Sequence, residues 1–376
     1  MKKLLVVFTA LSCCFLAYSQ EVDVRLIPRV DVNTYVPASN EGGWAVDFGN
    51  TSFYTLIEGS FLENFSYSVA NHWISVYGWE TPGQDIAGLY TSTLYSNAGN
   101  WLDWANLSYT LATEKAGSFD FTLGKDVLSI GGFEYDAYDF DCHFGLCSMM
   151  WNYLPVYQWG GKVGYTTPSE MTSICFQAAT SPYGGMLFRD RQYGAYSLYV
   201  SGEYDWYSSI WAVNFLQYAK SSYVNVITLG NQFYAGDCTI GIDWMNRARS
   251  VKNFFNQEMS LMGTVSYNFG DKVELFGKVG WDRFAGEALF SAADDMFGIY
   301  EENAEELTDP VTGEPAGFAP LGRNYVYGGL GVHWYPLKDS QDLRVHAVVS
   351  ANNWASEVSV NLGVTYNFSL TDLIKR

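Results

Sequence analysis

The chain has 376 residues, a formal net charge of -19 and a mean hydropathy of -0.05, with 17% aromatic and 16% charged residues. Beyond the N-terminal segment no stretch is apolar enough to cross a membrane as a helix, which excludes a helical membrane protein. The acidic balance excludes nucleic acid as a partner, because phosphate binding needs clustered Lys and Arg.

Met1 to Gln20 has Lys2 and Lys3, an apolar run from Leu4 through Leu16, and then Ala17-Tyr18-Ser19 before a cut near Gln20. That is the pattern of a secretory signal peptide, with a lipoprotein cut at Ser12-Cys13-Cys14 as the alternative. Charged residues lie well under the roughly 25% of ordinary soluble domains. An aromatic-rich, charge-poor and weakly hydrophobic chain behind a signal peptide points to a girdled transmembrane barrel, with a secreted sandwich as the alternative.

Residues 21-43 carry Pro28 and Pro37 and read as a lead-in, so the barrel is expected over 44-368. Strand-like runs follow at Trp44 to Phe48, Phe53 to Phe61, Phe65 to Val76, Ala105 to Ala112 and Ser118 to Lys125. Several alternate with period two, as Phe119, Phe121 and Leu123 do against Asp120 and Thr122. Thr81 to Trp101 is rich in Gly, Ser, Thr and Tyr and reads as a loop. After Gly124-Lys125-Asp126, the run Ile130-Gly131-Gly132-Phe133-Glu134-Tyr135-Asp136 reads as a strand end breaking at a glycine pair into an acidic, aromatic loop.

Further runs are Gly160 to Thr167, Thr172 to Thr180, Tyr193 to Ser201, Trp206 to Tyr218, Tyr223 to Phe233, Cys238 to Arg247, Glu258 to Phe269 and Val273 to Phe284. Asn324 to Tyr335, Asp342 to Ala351 and Glu357 to Phe368 complete them. In the last run Val358, Val360, Leu362, Val364, Tyr366 and Phe368 alternate with Glu357, Ser359, Asn361, Gly363, Thr365 and Asn367, giving one apolar and one polar face. The fold class is therefore all-β, an antiparallel transmembrane β-barrel of about sixteen strands.

Residues 285-322 interrupt the rhythm with acidic residues and no Lys, Arg or His. This long acidic loop reads as a solvated external loop, an inward fold that narrows the lumen, or a divalent-ion site near lipopolysaccharide. Residues 369-376 form a C-terminal tail, read as a periplasmic extension.

The segment Gly124 to Asp136 resembles the phosphate-selective porin O and P family in its Bacteroidetes-type form, when taken with Val156-Tyr157-Gln158-Trp159-Gly160, Ser181-Pro182 and Ile210-Trp211-Ala212-Val213-Asn214. Leu229-Gly230-Asn231, Asp243-Trp244-Met245-Asn246-Arg247-Ala248, Phe276-Gly277-Lys278-Val279, Tyr335-Pro336-Leu337 and Asp342-Leu343-Arg344-Val345-His346-Ala347 extend it, so that it spans roughly Gly124 to Phe368. The order and spacing of these pieces carry the likeness. It implies a 16-stranded barrel, typically a homotrimer, that passes small solutes or ions across the cell outer membrane, with lipid and lipopolysaccharide around it. The array of lumen arginines and lysines that the family's phosphate selectivity implies has no counterpart here.

On parity, Lys278 and Asp282 oppose Val279 and Trp281, Arg344 and His346 oppose Leu343 and Val345, and Asp243 and Arg247 flank Trp244. Arg or Lys on the lipid face costs about 2 to 4 kcal/mol at the midplane, so these six are the pore-lining candidates. The alternative is that they are ordinary wall residues or inter-strand ion pairs. Two of the six cysteines lie in the signal segment. Cys142 and Cys147 are a candidate disulfide or free thiols, with His143 beside them as a weaker metal reading that lacks a second ligand cluster. No cofactor or resident metal is expected. No catalytic residue is expected either: the histidines are His72, His143, His333 and His346, and no G-x-S-x-G elbow occurs. The expected function is passive diffusion of small hydrophilic solutes or ions. The alternative is a non-conducting adhesin or lipid-binding barrel, which a lumen filled with large apolar side chains would favour.

Overall fold

A computed structural model describes residues 21–37, 44–75, 102–113, 115–148, 150–151, 154, 156–183, 192–248, 252, 255, 258–283, 304–308, 315–320, 324–353 and 357–375. The first barrel strands are β1 (Glu21–Pro37), β2 (Ser52–Phe61), β3 (Phe65–Ser75), β4 (Leu102–Thr113), β5 (Gly117–Val127), β6 (Tyr157–Thr166), β7 (Thr172–Thr180) and β8 (Gly194–Tyr204). The rest are β9 (Tyr207–Ala219), β10 (Ser222–Ala235), β11 (Cys238–Ala248), β12 (Glu258–Phe269), β13 (Val273–Arg283), β14 (Asn324–Trp334), β15 (Leu343–Asn352) and β16 (Glu357–Tyr366). Each pairs antiparallel with its neighbour in sequence, and β1 pairs with β16 from Arg29↔Thr365 to Pro37↔Glu357, so the sixteen strands close into a barrel. Closure leaves no unpaired sheet edge, which is the condition for strands to cross a bilayer.

The period-two pattern of the sequence sets the two faces of the wall. On β16, Leu362, Val364 and Tyr366 are exposed on the outside, while Asn361 and Thr365 are buried inside. Leu123, Leu330 and Val279 are 70%, 70% and 64% exposed, an apolar band that only lipid would cover. At the end with short turns, aromatic pairs ring the barrel: Phe61 on Phe65 at 5.2 Å, Phe119 on Tyr165 at 4.9 Å, Tyr267 on Phe269 at 4.7 Å and Tyr366 on Phe368 at 5.7 Å between ring centres. Amphipathic rings at this level suit the headgroup boundary. The chain is a transmembrane β-barrel of the outer-membrane type.

Three expectations need correction. Residues 21-43 are not a lead-in, since Glu21–Pro37 is itself a 17-residue wall strand that pairs with Ser52–Phe61 on one side. Pro28 fits because the ladder on the other side lapses there: the pairs Leu26↔Phe368 and Arg29↔Thr365 bracket Ile27 and Pro28, where a missing N–H costs nothing. Trp44 to Phe48 supplies only the short strand Ala45–Asp47 against β1. The tail extends the closure: Phe368–Ser369 pairs with β1, and the helix Leu370–Lys375 follows, with Thr371 Oγ1 accepting from Val24 N at 2.9 Å.

Within 285-322, Ala304–Thr308 and Pro315–Pro320 form a hairpin separate from the barrel sheet. Whether that loop enters the lumen lies outside the described residues, as do the signal peptide over 1-20 and the expected loop at Thr81 to Trp101.

Candidate functional site: a loop folded into the barrel

Between β5 and β6 the chain turns inward. Gln177 of β7 fixes the start of this loop by accepting from Ser129 N at 2.7 Å and donating to Val127 O at 2.9 Å. Gly131 and Gly132 follow at φ of 86° and 82°, where side chains are strained. A Cβ on Gly131 would stand 2.7 Å from Ala212 Cβ, so the glycine pair lets the loop backbone lie directly on β9, with Gly132 N donating to Ile210 O at 3.1 Å.

Glu134 is the loop's central anchor. Its backbone N donates to Asp243 Oδ2 on β11 at 2.8 Å. Its buried carboxylate accepts from Ser148 N at 2.8 Å, from Ser148 Oγ at 2.5 Å and from Lys278 Nζ on β13 at 2.6 Å. Two short 3₁₀ turns, Asp139–Asp141 and Phe144–Leu146, then cross to the opposite wall. There the Arg29 guanidinium of β1 grips Asp31 at 3.0 and 2.8 Å and donates to Phe140 O at 3.0 Å and Cys142 O at 2.7 Å. Arg344 of β15 pairs with Asp141 at 2.8 Å. His143 faces His333 of β14 with their Nε2 atoms 3.1 Å apart.

The loop divides the interior into two chemically different parts. On one side Leu128, Ile130, Met150 and Leu154 of the loop pack with Leu216, Val226, Met245, Met262 and Tyr327 from the wall, an apolar core inside the barrel. On the other side, along β1, β15 and β16, the inward column is polar: Arg29, Asp31 and Asn33, with Asn361 donating to Asp31 at 2.9 Å and His346 3.3 Å from the same carboxylate. A cavity of about 160 Å³ lies here between the loop and the wall, lined by Asn33, His143, Ser350 and Asn361 among others. A second, of about 560 Å³, opens at the short-turn end among Glu21, Asp23, Arg25, Glu58, Asp342 and Asp372.

Charges in the loop respond to burial. Asp139 is pushed up to about 6 by burial, with the Asp103 carboxylate adding to the effect. His143 is held well below the usual histidine range by burial and then by the Arg29 charge, so its ring is neutral. Of the two states open to the pair, a disulfide or free thiols, the structure has Cys142 and Cys147 as two buried, unlinked thiols. Contact with Cys147 and then burial push the Cys142 thiol up, and Cys147 Sγ donates to His143 O at 3.5 Å. Each sulfur therefore has a partner without a covalent bond.

All six residues chosen by parity point into the barrel, in separate groups. Lys278 and Asp243 meet at Glu134. Arg344 and His346 lie at the polar column, with Arg344 also donating to Phe140 O at 3.2 Å. Arg247 is buried with Glu258 as its ion-pair partner, and Asp282 is buried across from Ser260. Sequence reasoning missed Arg29, Asp31 and Glu134. The alternation Asp23, Arg25, Ile27, Arg29, Asp31 against Val22, Val24, Leu26, Val30, Val32 was the available signal for the first two.

No protein-family model matches the chain, and no curated relative does. Among solved structures it is similar to a loop-deletion variant of OmpT, an outer-membrane protein of Vibrio cholerae, at 13% identity over 93% of this chain and 99% of that one, with a TM-score of 0.53. It is also similar to the outer-membrane channel DcaP of Acinetobacter baumannii, at 10% identity over 93% and 97% with a TM-score of 0.53. A refined porin structure matches at 11% identity over 93% and 100% with a TM-score of 0.50. At these identities the likeness is one of fold, and the fold shared is the closed barrel of porins and outer-membrane channels.

Proposed function

We propose that the protein is an outer-membrane porin through which small hydrophilic solutes and ions diffuse passively, with cations favoured. The single observation that carries this reading is the loop of residues 128–156, pinned inside the barrel by Arg29, Arg344 and Lys278 beside the polar column of the wall. Such a loop narrows a lumen without requiring any chemical step. Solutes would follow the polar column along β1, β15 and β16, between the two cavities.

The preference for cations rests on how the lumen charge is balanced. Arg29, Lys162, Arg247, Lys278 and Arg344 each sit against a carboxylate. Asp139, Asp243 and Asp282 add further acid, and the cavity at the short-turn end is lined by five carboxylates and Arg25. A negative lining raises the local concentration of cations. Phosphate selectivity is not part of the reading, because basic side chains already neutralised by acids make a poor anion path. The ordered motifs between Gly124 and Phe368 support kinship with the phosphate-selective porin O and P family by descent. That kinship also implies a homotrimer surrounded by lipid and lipopolysaccharide.

A second reading, a non-conducting barrel acting as an adhesin or lipid-binding protein, is favoured by the apolar core inside the barrel. Planar-bilayer recording of the purified, refolded protein separates the two. Discrete conductance steps support the porin, and folded protein that carries no current supports the alternative.

A further inference from the structure

Three of the four histidines meet where the loop touches the wall. His143 comes from the loop, His333 from β14 and His346 from β15. Their ring centres are 5.4 Å apart for His143 and His333, 4.8 Å for His143 and His346, and 6.3 Å for His333 and His346. We propose that His143 and His333 form a two-nitrogen binding site for a borderline divalent transition-metal cation, such as zinc or copper(II), that ties the loop to the barrel wall.

The spacing fits. Two metal–nitrogen bonds of about 2.0–2.1 Å subtend the observed 3.1 Å at an angle of about 100°, between the octahedral and tetrahedral values. His333 is also oriented as a ligand. Its Nδ1 lies 2.9 Å from Glu274 Oε2, so the proton sits on Nδ1 and the Nε2 lone pair faces His143. Without a metal, His143 must donate its Nε2 proton to that lone pair, leaving its buried Nδ1 without a partner. On metal binding that proton moves to Nδ1, both rings stay neutral, and both Nε2 lone pairs become ligands.

The surroundings agree. His143 stacks on Phe276 at 5.4 Å with an interplanar angle of 11°, which fixes its ring. The nearby arginines are already matched, Arg29 by Asp31 and Arg344 by Asp141, and Glu274 adds negative charge. His346 holds Asp31 through Nε2, while its buried Nδ1 has no partner among the described residues. Among the described residues no three ligating side chains already converge on one point. The protein therefore supplies two ligands, and water from the adjoining 160 Å³ cavity, which His143 helps to line, completes the shell. Imidazole ligands select zinc, copper and nickel over magnesium and calcium.

This inference does not rest on conduction and is tested without it. Untagged, refolded full-length protein is titrated with zinc by calorimetry at pH 7.5, and with copper(II) by electron paramagnetic resonance. Heat-modifiable migration in gels serves as the check of folding. One zinc site per chain and a copper spectrum with coupling to two nitrogens are expected. His143→Ala and His333→Ala should each weaken zinc at least tenfold, and Glu274→Gln should weaken it roughly 10- to 100-fold while the barrel stays folded. His72→Ala, at a histidine paired with Asp103, should leave zinc affinity unchanged. Zinc affinity left unchanged by His333→Ala or Glu274→Gln in folded protein overturns the proposal, as does no binding at millimolar zinc.

Discussion

Lys278 on β13 and Glu134 in the inward loop form an ion pair at 2.6 Å across 144 residues of chain, with side-chain exposures of 14% and 4%. The ammonium neutralises a carboxylate that also orders Ser148, so one wall residue secures two points of the loop that lie 14 residues apart. Replacing Lys278 by Met leaves Glu134 charged and buried without its cation. Removing one partner of a buried pair costs about 3 to 5 kcal/mol. Urea unfolding in lipid vesicles should show a loss of that order, and single-channel records should show larger, noisier steps as the loop loosens. Replacing Lys278 and Glu134 together with Met and Gln should recover part of the stability.

The glycine pair sets how closely the loop can lie on the wall. Gly131→Ala puts a methyl group 2.7 Å from Ala212 Cβ and 3.0 Å from its backbone N, at a φ of 86°. Backbone strain and overpacking together should cost about 2 to 4 kcal/mol. Proteolysis of folded protein in detergent should then cut within 128–156 sooner than in the wild type, with the barrel strands still protected.

Much of the barrel was legible in the sequence, for reasons particular to its strands. Fifteen of the wall strands coincide with strand-like runs of the sequence, several of which alternate apolar and polar residues, since a wall between lipid and lumen needs opposite chemistry on its two faces. The total of about sixteen agrees because two differences offset each other: Trp44 to Phe48 reads as a wall strand but supplies only Ala45–Asp47, and Glu21–Pro37, within the expected lead-in, is a wall strand. The inward loop was only half legible: the Gly131–Gly132 break was visible, but the destination of the segment was not. Contacts such as Arg29 with Cys142 or Glu134 with Lys278 join residues more than a hundred positions apart, and no local period encodes them. The acidic run at 285-322 reads first as a solvated external loop, with an inward fold as an alternative, whereas no inward fold is expected of the shorter loop before β6, which is the described inward one.

Arg29 gives a sharper test of loop geometry than of charge. Its guanidinium makes two bonds to Asp31 and two to loop carbonyls. Arg29→Lys keeps the charge but cannot make this forked set of bonds. Stability should fall by about 1 to 3 kcal/mol per buried bond set lost, and conductance fluctuations should increase. Ion selectivity should stay near that of the wild type, because the net lumen charge is unchanged.

Asp139 makes stability depend on pH in a defined direction. Its folded value of about 6 lies above the ordinary 3.8, so the folded state prefers the protonated acid. The stabilisation is fully present below about pH 4 and is lost as pH rises through 6. Asp139→Asn should remove this dependence and raise stability at pH 7.5 by up to about 3 kcal/mol, the equivalent of the shift. Unfolding midpoints of both proteins, measured from pH 4 to 8, should converge at the acidic end and separate at the neutral end.

The reversal potential of the refolded protein in a planar bilayer under a potassium chloride gradient, repeated with phosphate present, tests the central claim most directly. A potential of the sign set by potassium, unchanged by phosphate, is the predicted result. An anion-selective current blocked by phosphate, or no current from folded protein, would contradict the account.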